Sequence, residues 1–131
     1  MKFLLVIIIL FIHLCGCSDS SKELGGNYFL RIEGEHTNEI LNRSPHRKGV
    51  PPDVIRYNYN NDFIIAEQKP NQYNDIMHDD SVNYKYGRKN LYYWVIFKKS
   101  NFCIGPLNEA EFNEARNKYK VPDKLELKSV Y

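Results

Sequence analysis

The chain lacks most of what would make its chemistry easy to read. Among 131 residues there are three cysteines, Cys15, Cys17 and Cys103, and no CxxC pair. No zinc ribbon or dithiol redox centre is therefore spelled out. There is no Gly-rich phosphate loop, no serine in a nucleophile elbow and no HExxH. Each specific reason to expect catalysis is missing, so the expectation is not an enzyme. An excess of one charge is missing too: 18 Lys and Arg stand against 16 Asp and Glu. That balance argues against a nucleic-acid binder, which needs a basic stripe. No apolar run is long enough to span a bilayer. The longest, Phe3 to Ile12, has ten residues. As a helix it covers about 15 Å, half of a membrane core. No internal repeat or low-complexity tract is present.

What is present begins at that run. Met1 and Lys2 form a short positive n-region, and Phe3 to Ile12 suits a secretory h-region. Leu14-Cys15-Gly16-Cys17 follows. It resembles the lipobox of bacterial lipoprotein signal peptides: aliphatic, small, Gly or Ala, then Cys. The resemblance implies cleavage of residues 1–16 and makes Cys17 the first mature residue. Cys17 would carry a diacylglyceryl thioether and an acylated amine, palmitate in kind. Acyl burial contributes about 0.8 kcal/mol per methylene, so two or more chains hold a protein stably on a bilayer. In two-membrane bacteria, Asp after the cysteine favours inner-membrane retention. Here that residue is Ser18, so the expectation is a cell-envelope protein on the outer rather than the inner membrane. Residues 17–27 read as a polar, flexible tether; Ser18 to Gly26 alone would reach roughly 30 Å when extended.

Loss of residues 1–16 leaves 115 residues, with 17 basic against 16 acidic side chains and a net charge of +1. That is one small domain, expected over 28–131. With Cys17 lipidated, Cys103 has no partner for an intramolecular disulfide. In Phe102-Cys103-Ile104 it reads as a buried small hydrophobe. Packing must then hold the domain together, and ten Tyr, seven Phe and one Trp supply it, two of the Phe lying in the leader.

Periodicity predicts an α+β domain: an antiparallel sheet of hairpins, about five to seven strands, against one C-terminal helix. Tyr28, Leu30 and Ile32 share a face of a strand, and Glu39 to Asn42 can pair back. Val54 to Gln68 reads as a hairpin about Asn60-Asn61-Asp62, residues that tolerate positive φ. There Ile55, Tyr57 and Tyr59 fall on one face and Val54, Arg56 and Asn58 on the other. Tyr92 to Phe97 is apolar on both faces, as in a covered central strand. Phe102 to Ile104 returns beside it. Asn108 is a suitable N-cap, with Glu111 placed for a capping box. Phe112, Ala115 and Tyr119 then share a helical face, and Val121-Pro122 ends the helix. Leu125 to Ser129 alternates like an edge strand.

Residues 69–90 form an unusually long polar segment for so small a domain, a feature of functional or disordered loops. Its tyrosines Tyr73, Tyr84 and Tyr86, with His78, are the candidate binding residues, since tyrosine is a good contact side chain. His78-Asp79-Asp80 has the chemistry of a metal or acid–base site, but adjacent residues rarely ligate one ion together. No metal, cofactor or catalytic residue is expected. Arg43, His46, Arg47 and Lys48 make a small basic loop that suits solvent or lipid headgroups.

Asn61-Asp62-Phe63-Ile64-Ile65-Ala66, Tyr93-Trp94-Val95-Ile96, Gly105-Pro106-Leu107 with Glu109-x-Glu111-Phe112, and Val121-Pro122 together resemble a family of small bacterial lipoproteins carrying a domain of unknown function. The resemblance covers roughly residues 54–123 plus the lipobox and implies no activity. More loosely, the hairpin-then-helix order is similar to small immunity or inhibitor proteins. The expected function is a membrane-anchored, non-enzymatic protein-interaction or binding module with an unknown envelope protein as partner. The alternatives are a lipid-anchored immunity or inhibitor protein, and a hydrolase or small-ligand binder with an unrecognised site. A deep polar pocket with converging His or carboxylates would favour the last.

Overall fold

The structure is a computed structural model, and it describes residues 20–45, 47–70 and 82–131. Among the described residues, eight strands and one helix follow in the order β1 (Ser20–Gly25), β2 (Tyr28–Ile32), β3 (Glu39–Asn42), β4 (Val54–Tyr59), β5 (Phe63–Gln68), β6 (Tyr92–Phe97), β7 (Phe102–Leu107), α1 (Glu109–Lys118) and β8 (Lys128–Ser129). All the strand pairings are antiparallel. The α+β class read from the sequence is the observed one, but the strands divide into two sheets. One is three-stranded, in the order β1-β2-β3; the other is five-stranded, in the order β7-β6-β5-β4-β8.

Three layers result. The inner face of the five-stranded sheet carries Ile64, Ala66, Trp94 and Ile96, which pack on Leu24, Tyr28, Leu30 and Ile40 of the small sheet. The outer face carries Ile65, Tyr93 and Val95, which pack on Phe112 of α1 and on Val121 and Leu125 beyond it. β6 is therefore covered on both sides, which accounts for its unbroken apolar sequence.

Local chemistry sets the elements. At the β4–β5 turn the Asn60 side chain accepts from the backbone N–H of Asp62 and Phe63, at 2.9 and 2.8 Å. At α1 the Asn108 side chain accepts from the Glu111 N–H at 2.8 Å, and the Glu111 carboxylate accepts from the Asn108 N–H at 2.9 Å, completing a capping box. The helix stops at Lys118, because Tyr119 is its C-cap and Lys120 turns back with φ +57°. Tyr119 packs edge-on against Phe97, ring centres 4.9 Å apart, and Phe97 itself packs on the cluster that holds Phe112.

Four expectations need correction. Ser20–Gly25 is no tether: it is β1, hydrogen-bonded along β2 with Ser20 opposite Ile32, so the fold begins before residue 28. Its residues are polar because only Leu24 is buried. The expected single sheet is split, because β3 makes its further bridge to Val50 rather than to the β4 hairpin. Simple alternation in β4 fails, because a bulge between Val54 and Arg56 brings Val54 onto the core face with Tyr57 and Tyr59. The final strand is only Lys128–Ser129, paired to β4; Leu125 is buried against the helix side instead. Among the described residues, no helix is long and apolar enough to cross a membrane.

Candidate binding site

At the side of the molecule, the edge of β3 and the segment after it face the ends of β6 and β7 without closing on them. A cavity of about 310 Å³ lies there. Ile40, Leu41, Val50, Pro51, Val82 and Pro106 supply apolar wall, and the Trp94 indole adds an aromatic surface; Gly49, Gly105, Cys103, the Lys48 cation and the Glu39 carboxylate complete the lining. A few hundred cubic ångströms of largely apolar lining with one or two polar groups is the usual form of a small-ligand site.

Two glycines shape it. Gly105 has φ +149°, and a Cβ there would overlap the Trp94 ring. A Cβ on Gly49 would overlap the Ile40 carbonyl, so that segment can lie directly on β3 only as glycine.

Trp94 is fixed from behind. Its Nε1 donates to Gln68 Oε1 at 2.8 Å. The Gln68 amide donates in turn to the Pro52 carbonyl at 2.9 Å and to the Tyr84 hydroxyl at 2.8 Å. Gln68 is fully buried and three of its polar contacts are satisfied, as a buried amide requires. The Cys103 thiol points at the Gly49 carbonyl, 3.8 Å away. Burial pushes its pKa up to about 12, so it is a neutral thiol at physiological pH and a poor nucleophile. At the rim, buried Glu39 is paired with Arg31 across β2–β3. Lys48 is exposed and contributes the cation at the cavity wall.

The candidate residues read from sequence do not line this cavity. Cys17, Tyr73 and His78 lie outside the described residues, as does His46. Tyr84 and Tyr86 belong to the 82–91 segment, which runs across the β6 end of the large sheet. Tyr84 is half-buried, with its hydroxyl committed to Gln68 and its ring against Tyr92 at 5.1 Å. Tyr86 is exposed, with its hydroxyl 3.0 Å from Glu111. Its backbone N–H donates to the Tyr92 hydroxyl, which donates to the Gly87 carbonyl, both at 2.9 Å. The basic loop starts at Arg43, which is bonded through both nitrogens to Glu23 and covers the Phe29 ring.

A second polar locus sits where β3 and β4 begin. Asp53 is buried beside the exposed His36, whose Nδ1 is 3.3 Å from one carboxylate oxygen. The other oxygen has no partner among the described residues. Burial raises the Asp53 pKa, opposed by His36 and by the Asn38 N–H. Among the described residues, no three His, Cys, Asp or Glu side chains come together to hold a metal ion.

No local pattern announces the cavity, because its lining comes from five separate stretches: 39–41, 48–51, 82, 94 and 103–106. The one available signal was the pair of glycines beside apolar residues, Gly49-Val50-Pro51 and Gly105-Pro106. A family model described as a protein of unknown function (DUF3997) matches residues 25–131. No curated protein and no solved structure matches the chain.

Proposed function

The chain belongs to the DUF3997 family, and from that premise we propose that it is a non-enzymatic binding module, held on the outer membrane of the cell envelope by a lipid on Cys17. The observation that carries the binding part is the cavity beside Trp94. It is largely apolar, lined from β3, β6, β7 and the 48–51 segment, and edged by an exposed cation at Lys48, while the Glu39 carboxylate at its rim is paired with Arg31. Such a site suits a compact apolar or aromatic group ending in an anion, on a free molecule or on the side chain of an envelope protein. The neutral Cys103 thiol serves as lining, not as a reacting group. The leader and lipobox, residues 1–17, support the anchoring part.

Trp94 is the single tryptophan of the chain, so its emission reports occupancy directly. Titration with 1-anilinonaphthalene-8-sulfonate, an aromatic anion, is expected to quench Trp94 and saturate at one equivalent. Lys48→Glu should weaken the binding about tenfold, equal to about 1.4 kcal/mol. Val82→Phe, which puts added bulk on the lining, should abolish it. Binding that neither variant alters would refute the assignment of the cavity.

A further inference from the structure

The molecule has two ends, and β1 decides which of them the anchor holds. Lateral hydrogen bonding can be followed across both sheets at one level. Ser21 pairs with Arg31, and Arg31 with Glu39. The Val54 N–H donates to the carbonyl of Asn38, next to Glu39, at 2.8 Å. Val54 pairs with Gln68, and Gln68 with Tyr92. The start of β1, the β2–β3 turn, the start of β4, the end of β5 and the 82–91 segment thus share one end.

The opposite end carries the β1–β2 turn, the Asn60–Asp62 turn and the β6–β7 turn. A Cβ on Gly25 or Gly26 would meet Lys98, and the Lys98 ammonium donates to the Asn60 carbonyl at 2.6 Å. Exposed Phe102 and Tyr119 lie there, each against Phe97.

Only three residue steps separate Cys17 from Ser20, at most about 11 Å of chain. β1 then runs about 17 Å from Ser20 to Gly25, away from that point. The long tether expected from composition is not what the geometry shows, because Ser20–Gly25, six of its eleven residues, is strand.

Resting on the lipid-anchor reading above, we infer that the Ser20 end faces the bilayer and that residues 85–91 meet anionic lipid headgroups. The chemistry of that segment fits. Lys85, Arg88 and Lys89 supply three cations in five residues, and Tyr86 and Leu91 are each 41 % exposed. Lys85 lies over the Tyr86 ring at 5.0 Å, and Arg88 over the Tyr84 ring at 5.1 Å. Cations stacked on aromatic rings, beside an exposed leucine, form the composition of a surface at headgroup depth. Each Lys or Arg held near an anionic leaflet adds favourable electrostatic energy that fades within a Debye length. The short link keeps this end of the domain close to the leaflet. Acidic Glu33 and Glu35 also sit at this end, but on the β2–β3 turn, and Glu33 is paired with Arg31 at 3.4 Å. Glu111 partly offsets Lys85 at 3.8 Å. The cavity beside Trp94 opens on the flank between the ends, and the Phe102–Tyr119 end points away from the membrane.

Hydroxyl-radical footprinting of the full lipidated protein tests this. The protein is placed on vesicles of phosphatidylcholine alone, or with one third phosphatidylglycerol, and modification is read at Tyr86, Leu91, Phe102 and Tyr119. The expected result is at least threefold less modification at Tyr86 and Leu91 on the anionic vesicles, with Phe102 and Tyr119 unchanged. Lys85→Gln, Arg88→Gln and Lys89→Gln together should remove the difference. Equal modification of Tyr86 and Leu91 on both vesicles overturns the contact with anionic headgroups, and protection of Phe102 and Tyr119 instead overturns the orientation; both leave the anchor in place. A protein that does not float with either vesicle overturns the anchor reading, and the orientation with it.

Discussion

The two faces of the five-stranded sheet are built from the same strands but are closed differently. The inner face meets a second sheet. Ile64, Ala66 and Ile96 are fully buried there, and the polar atoms of Trp94 and Gln68 bond to each other. The outer face meets a single short helix whose buried residues are Phe112 and Ala115. It also carries a cross-strand ion pair, Arg56 to Glu67, with the arginine half in solvent. One layer is locked by shape and by a neutral hydrogen-bond network; the other is a lighter cover that tolerates charge. A domain without a described disulfide can afford one weak side only if the other is well packed.

That contrast can be broken most directly at Trp94. Trp94→Ala should cost about 3–5 kcal/mol in urea unfolding, as a large core truncation does. A value under about 1 kcal/mol would mean that the inner face is no better packed than the surface. Gln68→Leu keeps the volume but leaves the indole N–H and the Pro52 carbonyl without a buried partner, and should cost about 1–3 kcal/mol. On the lighter side, Asn108→Ala removes the helix cap and should cost about 1 kcal/mol, measured in the same way. If the cap variant proved more damaging than the Gln68 variant, the ranking of the two faces would be reversed.

The smallest effect concerns pH. Asp53 has a pKa raised by burial in the folded state, with His36 and Lys69 opposing the rise. Its stabilising contribution is therefore fully present below the ordinary Asp value of about 3.9 and is lost as pH rises through the higher folded value. Asp53→Asn removes this dependence. The stability of the wild-type protein minus that of the variant should increase as pH falls from neutral towards 4. A difference that stays flat, or that shrinks, would remove Asp53 from the account. The pairs Glu23–Arg43 and Glu111–Lys85 titrate in the opposite sense, but they are common to both proteins and cancel.

The outer half of this architecture was legible in the sequence, and the inner half much less so. Tyr92 to Phe97 announced a doubly covered strand, and Asn108 with Glu111 announced a capped helix, because those signals are local. β1 was misread because Ser20, Ser21, Lys22 and Glu23 look like linker. An edge strand needs only its backbone to pair, and polar side chains suffice when one face is wet. The bulge at Val54 and the split into two sheets depend on tertiary pairing that alternation cannot report. The cavity was hidden for the same reason: Ile40, Gly49, Trp94 and Gly105 meet only in the folded chain. Tyr84 shows the converse, a residue singled out for contact whose hydroxyl is committed to Gln68.

Binding at a membrane surface, the claim on which the functional account turns, depends on one covalent bond. The intact mass of the mature protein, extracted from membranes of cells that process lipoproteins, tests it. The account requires a chain that begins at Cys17 and is heavier than its residues by a diacylglyceryl group and an acyl chain. A mature protein with no acyl addition, or one that keeps residues 1–16, would contradict it.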